Sequence, residues 1–376
     1  MSLIYVRRVP AYDPDLLEQT IEDLFATLSV DAVLAPGMKV LIKPNLLAAR
    51  EPARAVTTHP ALIRAVANRL RARGITDIVL ADSPGGPYTS AALKHIYHVC
   101  GLNPLSDVLT LNQSVDAREV PAAPYSSASS FQIIEPILDA DFVINIAKMK
   151  THGMTTASLS VKNLFGAIPG LLKPRLHFEN PSQSAFANML VSLAATIPPG
   201  LCIVDGILAM EGNGPANGIP RDAQRILASK DPFALDYVAC QIMGLDPQSV
   251  PTVASSLRHG LLVPQDVRTV GDSCAPLDPP FTISDAHRLD FLSHAPAFLR
   301  TPLTRISDRF LRPFPALSPE RCIKCGKCAE SCPQNCIHFS PKEKPIFRLN
   351  SCINCLCCQE MCPVNAIRVR RSLIPR

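Results

Sequence analysis

The 376-residue sequence has no tryptophan, 5% aromatic residues and 18% charged residues. With few aromatics to stack bases and no Lys/Arg block, its formal charge of +5 gives no support to nucleic acid binding. Long apolar runs are missing too. The longest, Ala185–Ile197, contains Asn188 and Ser192, stops at Pro198-Pro199, and is too short for a transmembrane segment. The opening MSLIYVRRVPAYDPD holds no apolar core of signal-peptide length, so a cytoplasmic location is expected. At 47% hydrophobic the chain is too apolar for disorder, and its length suits two or three domains.

What the sequence does have is cysteine in one place. Ten of its 14 cysteines lie between Cys322 and Cys362; Cys100, Cys202, Cys240 and Cys274 are scattered and read as core thiols. Dense cysteine in a long chain without a leader points to metal rather than disulfides. Cys322-x2-Cys325-x2-Cys328-x3-Cys332-Pro333 recurs further along as Cys352-x2-Cys355-x2-Cys358-x3-Cys362-Pro363. This duplication has the bacterial two-cluster ferredoxin spacing, in which the fourth cysteine of each run serves the other cluster. One [4Fe-4S] cluster is therefore expected on Cys322, Cys325, Cys328 and Cys362, and a second on Cys352, Cys355, Cys358 and Cys332. Paired zinc sites are the rival, but zinc knuckles need neither the third cysteine nor Cys-Pro in both halves. Cys336 and Cys357 are surplus: they either pack near the clusters as small apolar groups or tune or replace a ligand.

Upstream, short β-rich runs alternate with helical periodicity, which predicts an α/β fold around a mostly parallel sheet flanked by helices. Strands are expected at Leu3–Val9, Met38–Lys43, Asp77–Ala81, Phe131–Ile134, Phe142–Ile146, Leu201–Val204 and Arg225–Ala228. Helices are expected at Asp15–Ser29, Pro60–Arg73, Thr89–Val99, Ser184–Ile197 and Pro232–Met243. The organisation predicted is an α/β domain over 1–272, a proline-rich connector with short helices (Ala286–His294 and Leu303–Leu311) over 273–317, and a small α+β ferredoxin domain over 318–370.

Ligand sites in such sheets open at the carboxyl ends of the strands, where several polar groups fall. Lys43 and Asn45 end one strand; Asp82 and Ser83 lead into Gly85-Gly86 after the next. Lys148, Lys150, His152 and Lys162 follow closely after Ile146, with Asn163 adjacent. Lysines there suit a phosphate or carboxylate, and an imidazole offers proton transfer. The alternative is a solvated basic loop. Glu211–Gly218, with four Gly or Pro breaks, reads as a loop and lacks the spacing of a dinucleotide fingerprint. Asp231 fits a helix cap, Asp236 a first-turn acid, and His59 a cap-region residue.

Lys43-Pro44-Asn45, Asp82-Ser83-Pro84-Gly85-Gly86, Asn145-x-x-Lys148-Met149-Lys150-Thr151-His152, Lys162-Asn163-Leu164-Phe165-Gly166 and Glu211-Gly212-Asn213-Gly214-Pro215 together resemble the family known as domain of unknown function 362. The resemblance covers about residues 1–272, with the ferredoxin part at 318–370, an arrangement that some of its members share. It implies an architecture and one shared polar site, but no established activity.

The leading expectation is a ferredoxin-linked oxidoreductase. Two [4Fe-4S] clusters, fed by a redox partner protein or reductant, would pass electrons to a small anionic substrate. Lys43, Asn45, Ser83, Lys148, Lys162 and Asn163 would bind it, with His152, Lys150 and Asp82 catalytic. Two alternatives stay open: an electron-transfer or docking protein without its own chemistry, and a non-redox enzyme whose clusters are structural.

Overall fold

A computed structural model of the chain describes residues 1–180, 182–283, 314–353 and 355–370. The two connector helices expected at Ala286–His294 and Leu303–Leu311 lie outside the described residues. The strands from Ser2 to Gly271 are β1 (Ser2–Arg8), β2 (Lys39–Lys43), β3 (Asp77–Leu80), β4 (Thr110–Leu111), β5 (Ala117–Pro121), β6 (Ser130–Ile134), β7 (Phe142–His152), β8 (Thr156–Ser158), β9 (Leu201–Glu211), β10 (Ile219–Ser229) and β11 (Val267–Gly271). Their helices are α1 (Pro14–Thr27), α2 (Pro60–Ala72), α3 (Ser90–Val99), α4 (Glu135–Leu138), α5 (Ser160–Asn163), α6 (Leu172–Glu179), α7 (Gln183–Thr196), α8 (Pro232–Ile242) and α9 (Pro251–Arg258).

Nine strands form one sheet in the order β11-β1-β10-β9-β7-β2-β3-β4, with β8 paired beside β7. Pairing is parallel from β9 through β4 and between β1 and β11; β10 runs antiparallel to both its neighbours. The fold is thus α/β with a mostly parallel sheet. Its helices start where the sequence supplies caps. Asp13 accepts from Leu16 N ahead of Pro14, and Asp231 accepts from Phe233 N and Ala234 N ahead of Pro232. His59 caps α2 through Ala61 N.

Two apolar cores lie on the two faces of the sheet. Leu17, Ile21, Leu24 and Phe25 of α1 meet Leu62, Val66 and Leu70 of α2 on one face; α7 and α8 fill the other. Each fully buried side chain of this size is worth about 1.5–3 kcal/mol, so the layering is set mainly by these faces. Cys100, Cys202 and Cys240 are buried here as small apolar groups, whereas Cys274 is half-buried.

One difference from expectation matters for the site. β7 does not stop at Ile146 but runs on to His152, and β9 runs on to Glu211. The polar residues looked like a loop because the groups that satisfy them come from distant segments. In the extended chain Lys148, Lys150 and His152 fall at spacing two and share one face.

The cysteine-rich module has strands β12 (Phe314–Leu317), β13 (Ile337–His338), β14 (Ile346–Phe347) and β15 (Ile367–Arg370). β12 pairs with β15 and β13 with β14. The duplication survives in the backbone. Short helices Lys327–Glu330 and Cys357–Glu360 occupy equivalent positions in the two runs, and both are entered through a left-handed residue, Gly326 and Leu356. Asn335 and Asn365 repeat the left-handed conformation at the next equivalent pair.

Candidate functional site

β7, β2 and β3 are adjacent and parallel, so their carboxyl ends deliver polar residues to one place. Lys43 ends β2 and meets Asp82, just past β3, at 2.6 Å with both side chains buried. Asp82 also accepts from Leu46 N at 2.8 Å. Burial pushes the Asp82 carboxyl up and the Lys43 ammonium down, each opposed by its partner. Either way the pair is neutral overall. Gly166 is obligatory beside it: a Cβ there would stand 2.5 Å from Lys43 Nζ and closer still to Asp82 Oδ1.

Amides continue the network. Asn45 Nδ2 donates to Asn163 Oδ1 at 2.7 Å, and Asn163 Nδ2 donates to Asn145 Oδ1 at 2.8 Å. Lys150 Nζ lies behind, donating to Asn45 Oδ1 at 2.7 Å and Val56 O at 2.6 Å. Burial, aided by the Lys162 cation, pushes the Lys150 ammonium down to about 7. His152 accepts from Met154 N and Thr155 N at Nδ1, which fixes the ring with its proton on Nε2. That Nε2 faces Glu360 Oε1 of the cysteine-rich module at 3.4 Å.

Lys148 lies apart from these groups. It is buried against Asp205 at 2.9 Å and Tyr12 OH at 2.8 Å, and Tyr12 stacks on His59 at 3.6 Å. Lys148, Tyr12 and Asp205 satisfy one another, as a structural hub requires. Asp236, expected as a first-turn acid, is buried and accepts from Ser160 N and Val161 N, thereby capping α5. Burial pushes it up to about 7.

A cleft of about 690 Å³ opens above the network. Of the expected residues, Asn45, Asp82, Ser83, Lys162 and Asn163 line it; Lys43, Lys150 and His152 stand directly behind, and Lys148 does not reach it. Lys162 lies over the Phe165 ring at 4.6 Å. The cleft also has walls that sequence reasoning missed. Lys173 Nζ ties Ser83 O (2.8 Å) to Ile168 O (2.6 Å), and burial pushes it down to about 7. His177 stacks on Phe186 at 4.1 Å, with no hydrogen-bond partner at Nδ1 among the described residues; burial drives it down to about 3, so the ring is neutral.

The remaining wall comes from the module: Ser331, Cys357, Glu360 and Met361. Met361 packs so closely on the glycine turn that a Cβ on Gly85 would lie 2.6 Å from its Sδ. Arg50 Nη2 donates to Cys362 O at 3.3 Å and Asn217 Nδ2 to Gln359 O at 3.0 Å. The Glu211–Gly218 segment, read as a loop, is thus the β9–β10 turn that helps to hold the module. Burial pushes Glu360 up, while Lys162 and Lys150 oppose the shift.

The cysteines themselves line two cavities of about 330 Å³ each. The first takes Cys322, Cys325, Cys328 and Cys362; the second takes Cys332, Cys352, Cys355 and Cys358, with Cys336 as a fifth. Among the described residues, no three His, Cys, Asp or Glu side chains converge as a single-ion site would need. Four thiols spread around a void suit a cubane, whose ligands sit on separate iron corners. Cys362 Sγ also accepts from Ala366 N at 3.2 Å, the N–H···S bond that tunes such centres. Of the surplus thiols, Cys336 lies 3.4 Å from Cys332 Sγ, and Cys357 faces the cleft.

Comparison with known proteins agrees with this division. The profile described as "Domain of unknown function (DUF362)" matches residues 40–241, and that of a "4Fe-4S dicluster domain" matches residues 321–366. The chain is 39% identical over 233 residues to "Thylakoid-associated protein sll1697" of Synechocystis sp., covering 60% of this chain and 69% of that protein. Among solved structures, the lactate racemase apoprotein of Thermoanaerobacterium thermosaccharolyticum is 13% identical with a TM-score of 0.37, covering 55% of this chain and 51% of that one. A protein from Thermotoga maritima is 10% identical with the same TM-score, covering 57% and 55%. The chain thus spans about half the length of those two solved chains. Among the described residues no helix is long and apolar enough to cross a membrane. The chain is an iron–sulfur protein with a 4Fe-4S ferredoxin domain.

Proposed function

The chain belongs to the family described as "Domain of unknown function (DUF362)", and from that premise we propose that it is an oxidoreductase in which two [4Fe-4S] clusters serve a small anionic substrate in the cleft. The observation that carries the reading is the shared wall: Cys357, Glu360 and Met361, within the second cysteine run, line the same cleft as Asn45, Asp82, Ser83, Lys162 and Asn163. Bound clusters of this type supply electrons one at a time. Everything else falls to the chain's own residues.

Lys162 lines the cleft, and among the described residues no hydrogen bond ties its ammonium, whereas those of Lys43, Lys150 and Lys173 are each held by hydrogen bonds. It therefore holds the anion. Lys173 lines the cleft with its ammonium near 7, which matches it to giving a proton at neutral pH. Lys150, equally shifted, holds Asn45 oriented from behind, and His152 holds Glu360. The aromatic side of the cleft, Phe165 with the neutral His177, keeps water from the bound molecule. A cytoplasmic setting keeps the ten clustered thiols reduced for cluster assembly.

The test is anaerobic. Holoprotein reduced with a stoichiometric amount of methyl viologen radical is mixed with small carboxylates and organic phosphates that bear a reducible group, and reoxidation is followed by cluster absorbance. The reading predicts reoxidation by one such anion, slowed about ten-fold or more in Lys162→Met and Lys173→Met. Reoxidation by none of them, with a stoichiometric redox protein co-purifying, would replace it with a docking role.

A further inference from the structure

The two cysteine runs are copies in sequence but not in setting, and the difference falls at particular positions. Lys324, Gly326, Lys327 and Ser331 of the first run correspond to Asn354, Leu356, Cys357 and Met361 of the second. The second run carries apolar or uncharged groups at these positions, and three of its residues line the cleft. In the first run Cys325 is exposed, as are Lys324 and Lys327. Ile323 and Ile346, 59% and 63% exposed, are the only large exposed hydrophobics among the module's described residues.

These groups are neighbours. Ile323, Lys324, Cys325 and Pro345 line the mouth of the first cysteine cavity, and Lys324 Nζ donates to Lys342 O at 2.7 Å. Lys342 and Lys344 are exposed beside Ile346. From Glu320 to Arg348 six exposed basic side chains stand against three acidic ones. A small apolar centre ringed by positive charge, over the most accessible thiol of a redox centre, has the makings of a brief, steered contact.

We propose that this face is where electrons enter, and that its partner is a small acidic one-electron carrier protein. The proposal rests on the two-cluster reading and gives the module a direction: in at the first run, out at the second, beside the cleft. The entering step is a single electron transfer. With a flavodoxin as donor, the anionic flavin hydroquinone becomes the neutral semiquinone and an oxidised cluster gains the electron; no bond between the partners forms or breaks.

The experiment is stopped-flow reduction of the holoprotein, without any cleft ligand, by reduced flavodoxin and separately by methyl viologen radical. The expected result is that K324E/K342E/K344E is reduced by flavodoxin at least about five-fold more slowly at low ionic strength, while methyl viologen reduces it no more slowly than wild type. Rising salt should slow the wild-type reaction with flavodoxin, a readout that needs no variant. A smaller loss, an equal loss with both donors, or a wild-type rate indifferent to salt would overturn the proposal. If methyl viologen bleaches no iron–sulfur absorbance in wild type, the two-cluster reading fails and takes the proposal with it.

Discussion

The first cysteine run turns its Ile323–Lys327 end to solvent, with Ser331 alone reaching the cleft, and the second sets Cys357, Glu360 and Met361 against a buried polar network, although their sequences align residue for residue. Cys325 is exposed where Cys355 is half-buried, and Ile323, lining the first cavity, is exposed where Ile353, lining the second, is half-buried. Glu330 is exposed, whereas its counterpart Glu360 lies against His152. A duplicated unit starts with two equivalent faces. Docking one of them onto a domain changes what each side chain costs or contributes, and the copies diverge at the contact. In the proposed relay, the same asymmetry gives the module its two ends.

Lysines offer the largest contrast. Lys43→Met leaves Asp82 buried without its cation and is expected to cost about 3–5 kcal/mol in chemical unfolding of the α/β part. Lys324→Met, on the outward face, should stay within about 0.5 kcal/mol. Equal effects would erase the distinction between inward and outward charge.

The pH dependence is next in size. Lys150 holds its proton to about 7 when folded, against an ordinary 10.5. Between those values the unfolded chain binds more protons, so stability rises with pH across that window; below about 7 the full penalty of charging the buried amine is present. Relative to Lys150→Met, wild type should therefore gain up to about 1.4 kcal/mol per pH unit above pH 7. Parallel stability profiles for the two proteins would mean that Lys150 stays charged through partners such as Asn45 and Val56.

Docking is tested by Gly85→Leu, which drives a side chain into Met361. Amide exchange at Gln359 and Glu360 should accelerate several-fold while that at Ala329 and Glu330 holds, since Gln359, Glu360 and Met361 make the contacts to Asn217, His152 and Gly85. The smallest change is expected from Cys357→Ser. It should leave the iron content unaltered, because Cys357 faces the cleft rather than either cysteine cavity; loss of iron would make that thiol a ligand.

Much of this was legible in the sequence. Strands such as Asp77–Leu80 and helices such as Pro60–Ala72 follow from periodicity and caps, and the crossed division of cysteines follows from their spacing. Asn45, Asp82, Ser83, Lys162 and Asn163 were visible because strand ends are where α/β sheets carry their sites. The extension of β7 to His152 was not, since its polar residues are satisfied by Asp205, Asn45 and Glu360 from elsewhere in the chain. Glu360 was hidden for a further reason: the repeat places Glu330 opposite it, so nothing local marks one as buried. Lys173 and His177 sit on α6, whose weak periodicity gave no helix to place them on. A glycine that admits a neighbour, such as Gly166 under Asp82, is the trace such contacts leave in sequence.

If two clusters are bound as proposed, the first-run centre faces solvent and the second-run centre the cleft. Cys328 lines the first cysteine cavity and Cys358 the second, so on the proposed ligand sets Cys358→Ala leaves the first-run cluster and Cys328→Ala the second-run cluster. EPR power saturation of each reduced variant with a soluble dysprosium chelate measures how closely solvent approaches the remaining centre. Strong relaxation enhancement is expected for the cluster left in Cys358→Ala and little for that in Cys328→Ala. Equal enhancement in the two, or the reverse order, would contradict it.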